Sequence, residues 1–165
     1  MQPRIKNPVM TLPGAMEGLQ KFSAAAKKSG VPATTLYLVE ARASQINGCS
    51  VCLDMHTREL KSEGEDDTRI FMVGAWREAP YFSDGERAAL ALTEAVTRLA
   101  DSSDAVPDEV WDEAARHYDE RQLAGLVVAI ASINAWNRVN AATRQVTGEW
   151  VEQWIGRPEP AGQAA

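Results

Sequence analysis

Two cysteines and a histidine have the types and spacing to do chemistry. They lie in the stretch Ser44-Gln-Ile-Asn-Gly-Cys-Ser-Val-Cys-Leu-Asp-Met-His56, a Cys-x-x-Cys with His four residues after the second cysteine. At about 100° per residue, Cys49, Cys52 and His56 fall on one helix face within about 60° of each other. Cys52 and His56 are an i,i+4 pair and Cys49 and Cys52 an i,i+3 pair, both contact spacings on a helix. A neighbouring imidazole and a helix N-terminus each favour the thiolate, lowering a reference pKa of about 8.5, and the thiolate is the nucleophile. A second thiol one turn away can resolve a sulfenic acid into a disulfide before over-oxidation. This is the minimum apparatus for two-electron peroxide reduction or for thiol–disulfide exchange.

The same residues have other readings. A cysteine inside a helix can be a small core hydrophobe. Cys49, Cys52 and His56 supply three zinc ligands where a structural site takes four. Asp54 falls on the wrong helix face for the fourth and nothing supports His117, so no metal is assigned. Covalent haem attachment places His directly after the second cysteine, and Leu53 stands there. Ser23, Ser44 and Ser83 lack a partnering His/Asp arrangement. No phosphate-cradling glycine loop or dinucleotide fingerprint is present, so no cofactor is expected.

The elements that must position these residues read as helices throughout. A lead-in with Pro3, Pro8 and Pro13 precedes a helix to about Lys28, with Leu19, Phe22 and Ala26 at helical spacing. Pro32 suits the first turn of a second helix carrying Leu36, Val39, Ala43 and Ile46, which Asn47-Gly48 ends or bends. A third helix starts at about Cys49 and runs to Ser62. Asp66 or Asp67 caps a short helix through Trp76. Ser83 and Glu86 form a capping box for a helix with Leu90, Ala91, Val96 and Leu99 inward. Pro107 opens a helix with Val110, Trp111 and Ala114 inward, and Asp119 caps a long one to about Gln145. Trp150 to Ile155 form a last turn or two. The five tryptophans are expected as core or subunit-interface anchors.

The expected fold class is therefore all-α: one helical bundle of about six to eight helices over residues 1–156, with 157–165 a flexible tail. The 165 residues are 45% hydrophobic and 24% charged, ordinary for a globular chain of this length. A net charge of -6 argues against a nucleic-acid binder. The longest nearly apolar stretch, Leu123 to Trp136, contains Ser132 and Asn134 and is shorter than the roughly 18 residues a membrane span needs. The N-terminus has charge without an apolar run, unlike a secretory signal, so a cytoplasmic location is expected.

The stretch Gln45 to His56, followed by Phe71-Met-Val-Gly-Ala-Trp-Arg-Glu-Ala-Pro-Tyr-Phe-Ser-Asp-Gly-Glu-Arg-Ala-Ala-Leu90, resembles the carboxymuconolactone decarboxylase / alkylhydroperoxidase D superfamily, nearest its small peroxidase-related members. The match spans about residues 31–100, and the helices over about 107–155 are compatible with it. The resemblance implies an all-α homo-oligomer, often a trimer or hexamer. It implies that Cys52 attacks the peroxide, Cys49 resolves it and His56 relays a proton with a glutamate. It also implies a dithiol reductant, such as the lipoyl groups of an adaptor protein. Twelve residues before Cys49, where the family commonly has its glutamate, this chain has Tyr37. Glu40, one helical turn later, is nominated as the partner of His56. Otherwise Glu40 is a surface carboxylate paired with a Lys or Arg, and the relay uses Tyr37. Val51 stands between the cysteines where some members carry His. Two rival functions remain: a redox-sensing module without rapid turnover, and, on the superfamily name alone, a lactone decarboxylase.

Overall fold

The computed structural model describes residues 2–148 and 151–152. Among them are eight α-helices and no strand: α1 (Pro8–Thr11), α2 (Ala15–Ala26), α3 (Ala33–Asn47), α4 (Ser50–Ser62), α5 (Asp67–Phe71), α6 (Asp84–Thr97), α7 (Asp108–His117) and α8 (Glu120–Thr143). Single 3-10 turns follow α5 (Met72–Ala75) and α6 (Leu99–Asp101). No helix among the described residues is long and apolar enough to cross a membrane.

The central element is α3, which packs against α4, α6 and α8. It is buried almost all round, through Leu36, Leu38, Val39, Ala41, Ala43 and Ser44. That is why its sequence shows no single apolar stripe; a helix enclosed on all sides has none. Gly48 ends α3 at φ 65°, a left-handed cap that costs glycine little, and Cys49 follows at once as the N-cap of α4. Capping boxes open α6 (Ser83 with Glu86) and α8 (Asp119 with Gln122).

Buried polar groups tie the helices in register. Glu94 of α6 accepts hydrogen bonds from Arg42 Nε (2.8 Å), Trp76 Nε1 (2.9 Å) and Arg77 Nη1 (2.6 Å). Asn47 donates at 2.9 Å to both Asn134 and Asn137 of α8, and Asn137 donates to Ser44 of α3. Paired in this way, these groups avoid the penalty of an unsatisfied polar atom in the interior.

Several expectations change. The proline-rich lead-in contains a helical turn, α1, capped by the Asn7 side chain. Leu99 is 50% exposed because α6 ends at Thr97 and the 3-10 turn shifts the phase. Trp111 is 40% exposed, since α7 buries itself through Ala114 instead. Phe22 is 43% exposed; α2 meets α8 through Ser23 and Ala26. Trp76 is buried and Trp136 partly so. Trp150, Trp154 and the tail over 157–165 lie outside the described residues.

α8 approaches the end of α2 so closely that a Cβ on Gly125 would lie 2.2 Å from both Cβ and Oγ of Ser29. Gly125→Ala should therefore destabilise the fold by about 1–3 kcal/mol through overpacking, read as a lower urea midpoint. In a Ser29→Gly background the loss should be mostly removed, a coupling that a double-mutant cycle measures.

Candidate active site

The junction of α3 and α4 delivers the thiols. Cys49 caps α4 and Cys52 lies one turn in; both are free thiols, 3% and 1% exposed. They sit among Ala43, Val51, Ile133 and Val151, a dry apolar setting that by itself disfavours charge. Asn140 of α8 reaches in with its side-chain amide, Nδ2 lying 3.3 Å from Cys52 Sγ and 3.9 Å from Cys49 Sγ.

The two thiols are coupled by a hydrogen bond between them. The Cys49 thiol is lowered to about 6, first because Cys52 donates its S–H to the Cys49 sulfur. Burial opposes this, while the Cys52 backbone N–H and the Asn140 amide reinforce it. That backbone N–H makes no formal capping bond with the Cys49 side chain, but it lies at the positive end of α4. Cys52 is pushed up by the same S–H donation, by burial and by the charge on Cys49. The proton is thus held more tightly by Cys52 than by Cys49, and Cys52 is the sulfur that lines the adjoining cavity.

His56, one turn beyond Cys52, is 4% exposed. Its Nδ1 lies 2.7 Å from Glu59 Oε2 and 3.3 Å from Glu40 Oε2. Lys27 of α2 pairs with the other Glu59 oxygen at 3.7 Å. The Tyr37 ring stacks on His56 with centroids 6.4 Å apart, and its hydroxyl accepts from Lys27. Burial pulls the imidazolium down, but the Glu40 charge and the hydrogen bond and charge of Glu59 outweigh it and raise the pKa. Burial also raises Glu40, against the pull of His56. His56 Nε2 and Glu40 Oε2 are buried with no hydrogen-bond partner.

A cavity of about 300 Å³ opens on this cluster. Cys52, His56, Glu40 and Glu59 form its polar side, and Met55, Val51, Ile133 and Trp136 its apolar side. Cys49 lies behind Cys52 and does not line it. The sequence-nominated Cys49, Cys52, His56 and Glu40 are therefore brought together, with Tyr37 against the histidine ring. Ligand atoms of Glu40, His56 and Glu59 lie within 4.8 Å of one another, a spacing a divalent cation could accept. The zinc alternative weighed from sequence had the two thiols in place of the carboxylates. Asp54 pairs with Arg58, and His117 pairs with Glu113 on α7.

Sequence reasoning missed Glu59, Lys27, Trp136 and Asn140. Glu59 had a signal, the i,i+3 spacing from His56. Asn140 had none, lying 88 residues from Cys52.

Because the folded pKa of His56 is raised, its contribution to stability is complete below the unfolded value of about 6.5 and is lost as pH rises through the folded value. Glu40, also raised, acts in the same direction. Glu59→Gln should bring the His56 titration down and flatten this decline. Ring-proton NMR titration and urea unfolding, followed upward in pH from the unfolded histidine value of about 6.5, read both effects.

Residues 13–95 match the model of the carboxymuconolactone decarboxylase family. The chain is 41% identical over 127 residues to the uncharacterized protein YdfG of Bacillus subtilis (strain 168), covering 77% of this chain and 83% of that one. It is 30% identical over 116 residues to the uncharacterized protein YnjA of Escherichia coli (strain K12), covering 70% and 62%. A crystal structure from Agrobacterium tumefaciens, of a protein of unknown function described as a candidate antioxidant-defence protein AhpD, superposes with a TM-score of 0.83 at 31% identity. The match covers 89% of this chain and 99% of that one.

Proposed function

The chain belongs to the carboxymuconolactone decarboxylase family, and from that premise we propose that it is a cysteine-dependent reductase of alkyl or hydrogen peroxides. The observation that carries the reading is the placement of Cys52 and His56 on one organic-sized cavity, with His56 Nε2 left without a hydrogen-bond partner and a second thiol behind. Its likeness to a candidate AhpD-type antioxidant protein supports the same reading.

The cycle follows from the proton positions. A peroxide in the cavity meets Cys52, whose S–H proton passes to the Cys49 thiolate. The Cys52 sulfur forms a bond to the distal peroxide oxygen as the O–O bond breaks. The leaving alkoxide takes a proton from His56 Nε2, while Glu59 and Glu40 hold the other side of the ring. Products of this step are Cys52 sulfenic acid and an alcohol. Cys49 then forms the disulfide, and its proton leaves with the sulfenic hydroxyl as water. Two electrons have passed from the thiols to the peroxide. An external dithiol resets the pair, with the lipoyl group of an adaptor protein as the reductant class. The working unit is a homo-oligomer in a reducing compartment such as the cytoplasm.

Pure protein given cumene hydroperoxide and a dihydrolipoamide-regenerating system should consume NADH. Cys52→Ser should abolish turnover, and Cys49→Ser, which removes both the acceptor of the Cys52 proton and the resolving thiol, should react more slowly and leave a sulfenic acid that dimedone traps on Cys52. His56→Gln should slow turnover by about 10²–10⁴, the usual worth of a positioned proton donor. Undiminished turnover in Cys52→Ser would sink the assignment. A single oxidation without turnover would favour a redox switch. Carbon dioxide release from a muconolactone by a protein lacking both cysteines would favour the decarboxylase.

A further inference from the structure

We propose that Asn140 is a catalytic residue: its side-chain amide is the donor that holds the thiolate as the charge moves between Cys49 and Cys52, and Asn7 fixes the direction in which that amide points. The use made of this thiolate rests on the peroxide-reductase reading; the interaction itself does not.

A thiolate in an apolar pocket needs a donor. The groups that act to lower both sulfurs include the amides of Asn140 and Asn137. Asn140 is the one whose Nδ2 reaches both sulfurs, at 3.3 Å and 3.9 Å. A primary amide carries two N–H groups. When the Cys52 proton crosses to Cys49, the charge therefore moves from one sulfur to the other without leaving its donor. Asn140 is 4% exposed, so water does not compete well for the same position.

The orientation of the amide is set by the chain's own lead-in. Asn7 Oδ1 accepts from Val9 N at 3.2 Å as the cap of α1. This leaves Asn7 Nδ2 to donate to Asn140 Oδ1, at 3.5 Å. With its oxygen engaged on that side, Asn140 presents its nitrogen to the thiols. The lead-in is itself held on the end of α8: Arg4 N donates to Thr143 O at 2.9 Å and Gln145 Nε2 to Ile5 O at 3.2 Å. A donor to sulfur favours the thiolate over the neutral disulfide, so the same contact also makes the disulfide easier to reduce.

The test is the pH dependence of iodoacetamide alkylation on the full, reduced chain, with peptide mass mapping to locate the label. Asn140→Leu keeps the bulk and removes the donor. It should shift the profile upward by about one unit, so that alkylation on the acid side of the native midpoint slows by about tenfold. Its disulfide should also be harder to reduce, by about the same factor, in equilibrium with dihydrolipoamide. Asn140→Asp, near-isosteric, is the second variant if Asn140→Leu fails to fold, and should shift the profile in the same direction. Asn7→Ala, which leaves Asn140 in place, should give a smaller shift of the same sign. A native alkylation profile and a native disulfide equilibrium in either folded Asn140 variant overturn the proposal. Absence of peroxide turnover in the native protein would instead overturn the reductase reading, while the alkylation profile still reports on Asn140.

Discussion

Two thiols buried side by side in a protein core, where any negative charge must be held by their own neighbours, are the constraint on which the rest of this structure depends. Burial alone would keep both thiols protonated and inert. Charge becomes tolerable because each sulfur serves the other as donor or acceptor, and because α4 begins at Cys49. That beginning depends on Gly48, whose left-handed backbone ends α3 and leaves no spacer before the next helix. A longer connection would carry Cys49 away from Ala43, Ile133 and the α8 amides.

The asparagines of α8 serve the same end at two levels. Asn134 and Asn137 bond to α3 through Asn47 and Ser44, fixing how the two helices sit lengthwise. Asn140, on the same helix, then arrives opposite the sulfurs. Across the cavity, a chain of alternating charges runs Lys27, Glu59, His56, Glu40. The histidine thus has carboxylates on Nδ1 and a buried Nε2 with no hydrogen-bond partner, the polarity a proton donor requires.

Much of this was legible in the order of residues. The caps at Ser83 and Asp119, the break at Gly48 and the start of α4 are local signals. Each is made by side chains within a few positions of the backbone they satisfy. Glu40 could be nominated because one helical turn separates it from Tyr37. The inward faces were less legible where a helix ended early, as at Leu99, or where a small residue such as Ala114 took the buried position from Trp111. Asn140 could not be read at all: its meaning comes from the docking of α8 on α3, a contact that no local period records. Asn7 was hidden for the same reason, in a lead-in whose prolines gave no helical period.

The wall that α2 contributes to the cavity has a different consequence. Met16, Gln20, Ser23, Ala24 and Lys27 all face that space, yet Ala26 is the one fully buried residue of the helix. Most of its positions are exposed or only partly buried, while the dithiol and His56 stand on α4 and Asn140 on α8. Outside Lys27, whose charge reaches Glu59, mutational drift along this wall can reshape what enters the cavity without touching the sulfurs. The architecture separates the evolution of selectivity from the evolution of reactivity.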